Sequence, residues 1–233
     1  MTTTLRHVTI IALILLTVVC SRSREEPPSH EGGDPRTTGK SVTSTPTILF
    51  LGTSLTAGFG LNSDQAYPSL LQAKIDSAKL RYRAVNAGVS GETSAEALRR
   101  IDGLLQTRPA VVVIETGAND GLRRQDPSLL RTNIQAIIDR LRAISPPPRI
   151  VLVGMEALPY QESDYGWRFR KVYLDLAQAN GISLVPDLLA GVAGVGSLNQ
   201  PDGIHPTAAG QQRLAENVWQ TLGPVLSSAQ PRR

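Results

Sequence analysis

A serine at the end of a short apolar run is the first residue whose setting could support chemistry. Residues 47–60 read TILFLGTSLTAGFG, and the apolar residues 48–51 are closed by Gly52. This pattern is typical of a strand buried on both faces. Ser54 therefore follows the carboxyl end of a strand, where ligands bind in open α/β sheets. The stretch matches neither a P-loop nor a dinucleotide fingerprint, and Thr56 stands where the G-x-S-x-G elbow has its second Gly. The remaining interpretations are a nucleophilic serine in another loop geometry and a serine in a chemically inert glycine-rich turn.

A nucleophilic serine needs a base, and the chain contains three histidines. His7 and His30 precede the predicted folded domain, which leaves His205 as the candidate. The segment PDGIHP places Asp202 three residues before His205, in a turn loosened by Gly203. A carboxylate at that spacing can accept a hydrogen bond from the ring Nδ1 and leave Nε2 free to accept a proton. The alternative is an ordinary Asp-Gly turn before a helix.

Two further loops carry residues that could stabilise a negative charge. The segment NAGVSGET follows the second predicted strand, and ETGAND follows the third. Gly88 would let a backbone N–H approach a ligand, and the Asn119 amide supplies two donors. Because both loops should emerge at the sheet edge that carries Ser54, they could form an oxyanion hole. Alternatively, Gly and Asn-Asp are ordinary turn residues. Glu115 ends a buried strand and is interpreted as structural.

The apolar spacing predicts alternating strands and helices that would position these loops. The predicted strands are residues 48–51, 82–87, 110–114, 150–153 and 182–185. The predicted helices are residues 67–80, 93–107, 128–144, 165–179 and 206–222, with Pro206 in the first turn of the last one. Strict alternation of this kind favours a parallel sheet covered by helices on both faces.

Composition excludes several classes of protein. The length of 233 residues, with 41% apolar and 19% charged residues, fits one globular domain, and we expect a monomer. The net charge of +4 comes from scattered basic residues without interleaved aromatics, so no nucleic-acid partner is indicated. A single cysteine excludes an intramolecular disulfide.

The N-terminus indicates export. An apolar run at residues 8–19 follows Arg6 and His7, and it has the length of a signal-peptide core. Cys20 follows, which resembles a bacterial lipoprotein signal in which this cysteine is lipidated, although Val19 stands where such signals prefer Gly, Ala or Ser. The alternatives are cleavage after Ser21 and an uncleaved anchor.

The segments on either side of the folded domain are predicted to be flexible. Residues 1–20 are the expected signal peptide, and residues 21–45 are rich in Ser, Pro, Gly, Thr and charge, which is typical of a flexible tether. We therefore expect a folded domain over residues 46–226, a disordered tail over 227–233, and a periplasmic protein anchored through Cys20.

The order of the motifs carries a resemblance to a known family. Ser54, Gly88, Asn119 and His205 fall in the order and contexts of the four blocks of the SGNH, or GDSL-type, hydrolases. The segments NAGVSGET, GAND and DGIHP are similar to its thioesterase I/arylesterase/lysophospholipase branch. The resemblance implies a flavodoxin-like three-layer α/β/α sandwich with a five-stranded parallel sheet, and no metal or organic cofactor.

The resemblance also implies roles for individual residues. Ser54 would be the nucleophile, His205 the base and Asp202 its orienter. The oxyanion hole would consist of the N–H groups of Ser54 and Gly88 with the amide of Asn119.

The implied activity is hydrolysis of small acyl esters or thioesters through an acyl-Ser54 intermediate. One departure from the family is Thr53, where an Asp is usual. A Thr hydroxyl can hold the loop more weakly than an Asp carboxylate, so Thr53→Asp is expected to keep activity without lowering thermal stability. The alternatives are a carbohydrate O-acetylesterase that uses the same residues, and a tethered, catalytically weak binding protein.

Aromatic residues make up only 4% of the chain, yet they concentrate after the fourth predicted strand. Tyr165, Phe169 and Tyr173 recur every four residues, which predicts a helix stripe facing the core. Four other residues of this segment could line an acyl pocket or simply pack the loop: Leu158, Pro159, Tyr160 and Trp167.

Overall fold

The computed structural model describes residues 45–158, 160 and 162–229. The predicted signal peptide, nearly all of the predicted tether, and Pro159 lie outside the described residues. Cys20 lies outside them as well.

Five parallel strands form one sheet, as the alternating pattern predicts. They are β1 (Thr47–Gly52), β2 (Arg83–Gly88), β3 (Val111–Ile114), β4 (Arg149–Val153) and β5 (Ser183–Val185). Their order is β2-β1-β3-β4-β5, and every neighbouring pair is parallel. Because β1 and β3 lie inside the sheet and are covered on both faces, all four residues of β3 are buried, as are residues 48–52 of β1.

Helices cover both faces of this sheet. They are α1 (Ser54–Ala57), α2 (Tyr67–Ser77), α3 (Ser94–Leu105), α4 (Ala118–Leu122), α5 (Pro127–Arg142), α6 (Asp164–Asn180) and α7 (Ala208–Ala229). Helix α2 packs against α7, while α5 packs between α3 and α6. These two groups of helices and the sheet between them give the expected three-layer α/β/α sandwich. None of the helices in the described ranges is long and apolar enough to cross a bilayer.

The aromatic stripe of α6 faces the core, as its four-residue spacing predicts. Phe169 and Tyr173 are fully or almost fully buried, and Tyr165 is 7% exposed. Tyr173 donates a hydrogen bond to the carbonyl of Thr116 (2.8 Å), so the stripe also supports the loop that follows β3.

The last helix differs from the prediction at both ends. Pro206 precedes the helix and pairs with Asn199 in an isolated antiparallel bridge, so its placement in the first helical turn was wrong. At the other end, α7 continues through Pro224 to Ala229, so residues 227–229 are helical and do not belong to a disordered tail. Burial of Leu226 against the core extends the apolar face of the helix beyond the residue that was expected to end it.

Both ends of the described chain lie at the same edge of the sheet. Thr47 begins β1 at the amino end of the strands. Arg149 begins β4 at that edge, and its guanidinium donates a hydrogen bond to Ser228 near the end of α7 (2.7 Å). The loops that carry the candidate site leave from the opposite, carboxyl edge.

Candidate active site

Ser54 is held in a one-turn helix directly after β1. Thr53 caps α1, and Gly58 ends it in a left-handed conformation with φ of 74°. The Gly58 N–H donates to the Ser54 carbonyl (3.1 Å), which closes the turn. A side chain at Gly58 would be strained by this φ and would also place its Cβ 2.7 Å from that of Ala66. The helix is only four residues long, so it left no apolar periodicity in the sequence.

Glu115, at the end of β3, is fully buried beneath this turn. Its carboxylate accepts hydrogen bonds from the Thr53 N–H (2.8 Å), the Thr53 hydroxyl (3.0 Å) and the Thr56 hydroxyl (2.7 Å). Burial raises the pKa of Glu115 to about 7, although these hydrogen bonds oppose the shift. Glu115 thus binds both ends of the turn that carries Ser54, a connection that the sequence did not reveal.

The structure brings Ser54, His205 and Asp202 together. Nε2 of His205 lies 3.0 Å from Oγ of Ser54, and Nδ1 lies 2.7 Å from Oδ2 of Asp202. The other Asp202 oxygen accepts from the backbone N–H groups of Ile204 (2.9 Å) and His205 (3.0 Å). Asp202 therefore shapes the short loop that carries the imidazole as well as contacting its ring.

Electrostatics at this loop fix the imidazole tautomer. The hydrogen bond from the His205 ring and those from the backbone N–H groups hold the pKa of Asp202 at about 2. An ionised carboxylate only accepts hydrogen bonds, so Nδ1 carries the ring proton. Nε2 then presents its lone pair to the Ser54 hydroxyl.

An aromatic ring that sequence reasoning missed covers the imidazole. The centroids of Phe59 and His205 lie 4.5 Å apart, with an interplanar angle of 37°. Phe59 is 49% exposed, so the contact forms part of the mouth of the site. The only signal in the sequence was its place just after the Ser54 turn.

Asn119 lies on α4 and faces the same cavity. Its Nδ2 donates one hydrogen bond to the backbone carbonyl of Glu92 (2.9 Å). A carbonyl can only accept, so this contact identifies the nitrogen of the amide. The second N–H of the same nitrogen has no acceptor among the residues that the structure describes.

Gly88 is not part of the cavity wall, although the sequence motif predicted it in the oxyanion hole. Its N–H donates to the Asn86 side chain (2.9 Å) and is therefore already occupied. A Cβ at Gly88 would lie 2.3 Å from the backbone nitrogen of Ala57, so a glycine is needed there for close packing against α1. The expectation that Gly88 lines the site was wrong.

Gly91, the second glycine of NAGVSGET, lies at the cavity instead. It has a φ of 80°, and its N–H meets no acceptor within the described part of the chain. The Ser54 N–H, at the start of α1, is likewise without an acceptor among the described residues. The motif contained both glycines, and spacing alone did not decide between them.

The cavity beside Ser54 is mostly apolar. Its wall is formed by Ser54, Leu55, Phe59, Ser90, Gly91, Ala118, Asn119, Leu122, Met155, Glu156, Leu158, Leu189, Ile204 and His205. The carboxylate of Glu156 is paired with Arg170 (2.9 Å). Over the described ranges, no group of three or more His, Cys, Asp or Glu side chains could hold a metal ion.

The predicted acyl pocket is only partly correct. Leu158 lines the cavity. Tyr160 packs edge-on against Tyr165 (5.9 Å between centroids), beneath the guanidinium of Arg124, and is not part of the cavity wall. Trp167 is 53% exposed on α6 and is also absent from the wall. The aromatic residues Tyr160 and Trp167 therefore did not identify the pocket, because its wall is formed by loops that are far apart in the sequence.

The chain is similar to several known proteins. Residues 50–213 match the model of the GDSL-like Lipase/Acylhydrolase family. The chain is 42% identical over 181 residues to Esterase TesA of Pseudomonas aeruginosa, covering 77% of this chain and 89% of that protein. It is 32% identical over 186 residues to Thioesterase 1/protease 1/lysophospholipase L1 of Escherichia coli, covering 78% and 85%. The crystal structure of TesA superimposes with a TM-score of 0.73 at 41% identity, covering 77% of this chain and 99% of that one.

Proposed function

The chain belongs to the GDSL-like lipase/acylhydrolase family of serine hydrolases acting on acyl esters and thioesters, and we propose that Ser54, His205 and Asp202 carry this activity. The observation that supports the proposal most is the continuous chain of short contacts, 3.0 Å from Ser54 to His205 and 2.7 Å from His205 to Asp202, at the wall of an apolar cavity. This is the arrangement of nucleophile, base and orienting carboxylate that acyl transfer requires.

The reaction follows from the state of the imidazole. Nε2 of His205 takes the hydroxyl proton as Oγ of Ser54 attacks the carbonyl carbon of the substrate. The imidazolium, stabilised by Asp202, returns that proton to the departing alcohol or thiol, which leaves an acyl-Ser54 ester. Water, deprotonated by His205, then attacks the acyl carbon and releases the acid.

Three donors would stabilise the tetrahedral oxyanion. They are the N–H groups of Ser54 and Gly91 and the second N–H of Asn119 Nδ2. Gly91 replaces Gly88 in this role because the Gly88 N–H is bonded to Asn86. Fixed donors in a site that excludes water are worth far more to a developing charge than the same donors in water.

The wall of the cavity favours an aliphatic acyl chain as the occupant. Apolar side chains dominate it, among them Leu122, Met155 and Leu189. Each methylene that moves from water into such a site contributes about 0.8 kcal/mol, or about fourfold in kcat/KM. A series of p-nitrophenyl esters should therefore show kcat/KM rising with chain length until the cavity is filled. A flat series combined with faster turnover of acetylated glycans would instead favour the carbohydrate O-acetylesterase.

The decisive experiment identifies the nucleophile chemically. A fluorophosphonate should add one phosphonyl group to the protein, located by peptide mass spectrometry on Ser54, and Ser54→Ala should prevent the addition. Ser54→Ala and His205→Ala should each lower turnover by several orders of magnitude, with little further loss in the double variant. Ser77→Ala, on the exposed face of α2, is the matched control. Labelling of another serine, or mild and additive losses, would disprove the assignment.

The location of the enzyme is a separate proposal that rests on the sequence. We infer export to the periplasm and lipidation of Cys20, because the chain's one cysteine directly follows an apolar run of signal-peptide length. Each buried acyl CH₂ contributes about 0.8 kcal/mol, and stable attachment needs more than one chain. Cys20→Ser should move the enzyme from the membrane fraction to the soluble periplasm with unchanged turnover. A soluble wild-type protein whose mature N-terminus is Arg22 would favour simple secretion.

A further inference from the structure

We propose that Arg100 is a positioning residue which, through Glu92, holds the three loops that carry the oxyanion donors in a fixed relative arrangement. The proposal deepens the proposed function and rests on it, because it assumes that Ser54, Gly91 and Asn119 supply those donors.

Arg100, on α3, forms a two-bond contact with the carboxylate of Glu92. Its Nε lies 2.5 Å from one Glu92 oxygen, and its Nη2 lies 2.7 Å from the other. The Glu92 side chain is 5% exposed and that of Arg100 is 25% exposed. Paired contacts of this kind fix the planes of both groups as well as their separation.

The same guanidinium reaches the ends of two strands. Its Nη2 donates to the carbonyl of Ala87 (2.8 Å), at the end of β2, and lies 3.4 Å from the carbonyl of Gly52, at the end of β1. Gly52 is two residues before Ser54, and Ala87 is the penultimate residue of β2, just before the loop that contains Gly91. Arg100 therefore joins the points at which two of the donor loops leave the sheet.

Glu92 extends this connection to the third donor. It directly follows Gly91, so fixing its carboxylate also restrains the turn in which Gly91 has a φ of 80°. Its backbone carbonyl accepts the hydrogen bond from Asn119 Nδ2 (2.9 Å). One ion pair thus contacts or adjoins every segment from which an oxyanion donor projects.

Stability alone is a poor explanation for this pair. A buried ion pair loses hydration that its mutual attraction only partly returns, and apolar residues of similar volume often serve stability as well. The guanidinium also fixes the relative orientation of the groups it contacts, because its planar set of donors binds the Glu92 carboxylate and the Ala87 carbonyl at the same time. Catalysis by preorganised donors depends on such placement, since small displacements of a positioned group cost large factors in rate.

The test is Arg100→Lys, which keeps the charge and removes the planar donor set. We expect kcat to fall about 10- to 100-fold while KM changes less than about threefold, because the ground-state carbonyl makes little use of the donors. The affinity for an alkylboronic acid, which forms a tetrahedral adduct on the serine, should fall by the same factor as kcat/KM. The affinity for the product fatty acid should be unchanged. Arg140→Lys is the matched control, because Arg140 also contacts a carboxylate and a carbonyl of α3, on an exposed surface.

A double-variant comparison separates positioning from general loosening of the fold. Combined with Asn119→Ala, Arg100→Lys should cost clearly less than it costs alone, because one of the donors it positions is already absent. Glu92→Gln provides a second test if Arg100→Lys fails to fold, since it weakens the same contact while keeping the backbone carbonyl.

Three results would overturn the proposal in a folded variant: an unchanged kcat, a loss confined to KM, or a boronic acid affinity that does not follow kcat/KM. A failure of the proposed function would look different, because Ser54→Ala would then retain turnover or Asn119→Ala would turn over at the wild-type rate. In that case the oxyanion assignment itself is wrong, whatever Arg100→Lys does.

Discussion

Replacing Glu115 by Gln tests whether folding changes the pKa of the buried carboxyl beneath the turn that carries Ser54. Glu115 is fully buried, and its hydrogen-bond donors come from Thr53 and Thr56. Gln has nearly the same shape and can accept the Thr53 N–H and Thr56 hydroxyl bonds through its oxygen. Its NH₂ group can donate to the Thr53 hydroxyl oxygen, so the turn should keep its geometry. What Gln lacks is the ionisable proton.

The magnitude follows from the pKa of Glu115 in the two states. Burial raises it from 4.5 to about 7 in the folded protein. Between these values the native protein keeps a proton that the unfolded chain has lost, so the free energy of unfolding falls as pH rises. At about 1.4 kcal/mol per pH unit, the interval corresponds to about 3 kcal/mol. This loss of stability is absent below pH 4.5, where Glu115 is protonated in both states, and it is complete above pH 7, where Glu115 is ionised in both states.

Urea denaturation of the wild type and Glu115→Gln at several values between pH 4.5 and pH 8 measures this effect. The stability of Glu115→Gln relative to the wild type should rise by about 3 kcal/mol across that range, because all other titrating groups are common to both proteins. At about 2–4 °C per kcal/mol, the difference in Tm should grow by about 6–12 °C.

Parallel stability curves for the two proteins would refute the reasoning. They would mean that Glu115 has the same pKa in the folded and unfolded chains, and that the hydrogen bonds from the turn fully offset its burial. Glu216→Gln is the control, because it makes the same substitution at a half-exposed residue of α7, away from the turn that carries Ser54.

Three further variants test the site. Asn119→Ala should lower kcat by about 10²–10³, as measured with p-nitrophenyl esters, and an unchanged rate would leave Asn119 as a turn residue. Asp202→Asn should lower kcat by up to about 10⁴, because an amide can donate to Nδ1 and so stabilise the wrong tautomer of His205, and a small loss would show that the loop alone orients the ring. Thr53→Asp should lower Tm at pH 8, and Tm should largely recover at pH 5. The reason is that the new carboxyl would replace the Thr53 hydroxyl, which lies 3.0 Å from the Glu115 carboxylate. The sequence alone predicted that Thr53→Asp would not lower thermal stability, whereas the structure predicts a loss at pH 8. If the variant and the wild type had equal Tm values at both pH values, the prediction from the sequence would be correct.

The centre of the sheet could be predicted because β1, β3 and β4 each contain a continuous run of four apolar residues. The same reasoning failed for α1 and α4, which span four and five residues and are too short to show a helical period. It also failed at the end of α7, where burial of Leu226 overrides Pro224, a residue that normally ends a helix.

Part of the site could be predicted from the sequence, because some of its contacts join residues that are close together in the chain. Asp202 and His205 are three residues apart, so their contact is local and their spacing could indicate it. Gly88 and Gly91 are also three residues apart, but which N–H is free depends on Asn86, whose contact no motif shows. The cavity wall was hidden in the same way, since residues such as Phe59 and Leu189 meet only in the folded chain.

The position of the two ends of the folded domain has a practical consequence. Thr47 and Ser228 both lie at the amino edge of the sheet, the latter held there by Arg149. Ser54 follows the carboxyl end of β1, about 20 Å from Thr47 at about 3.3 Å per residue. A bead, a surface or a fusion partner joined directly to either end of the folded domain would therefore lie against the edge of the sheet opposite the cavity, and the mouth of the cavity would face the surrounding solution. The domain should accordingly tolerate immobilisation at Thr47 or at Ser228 without obstruction of substrate entry.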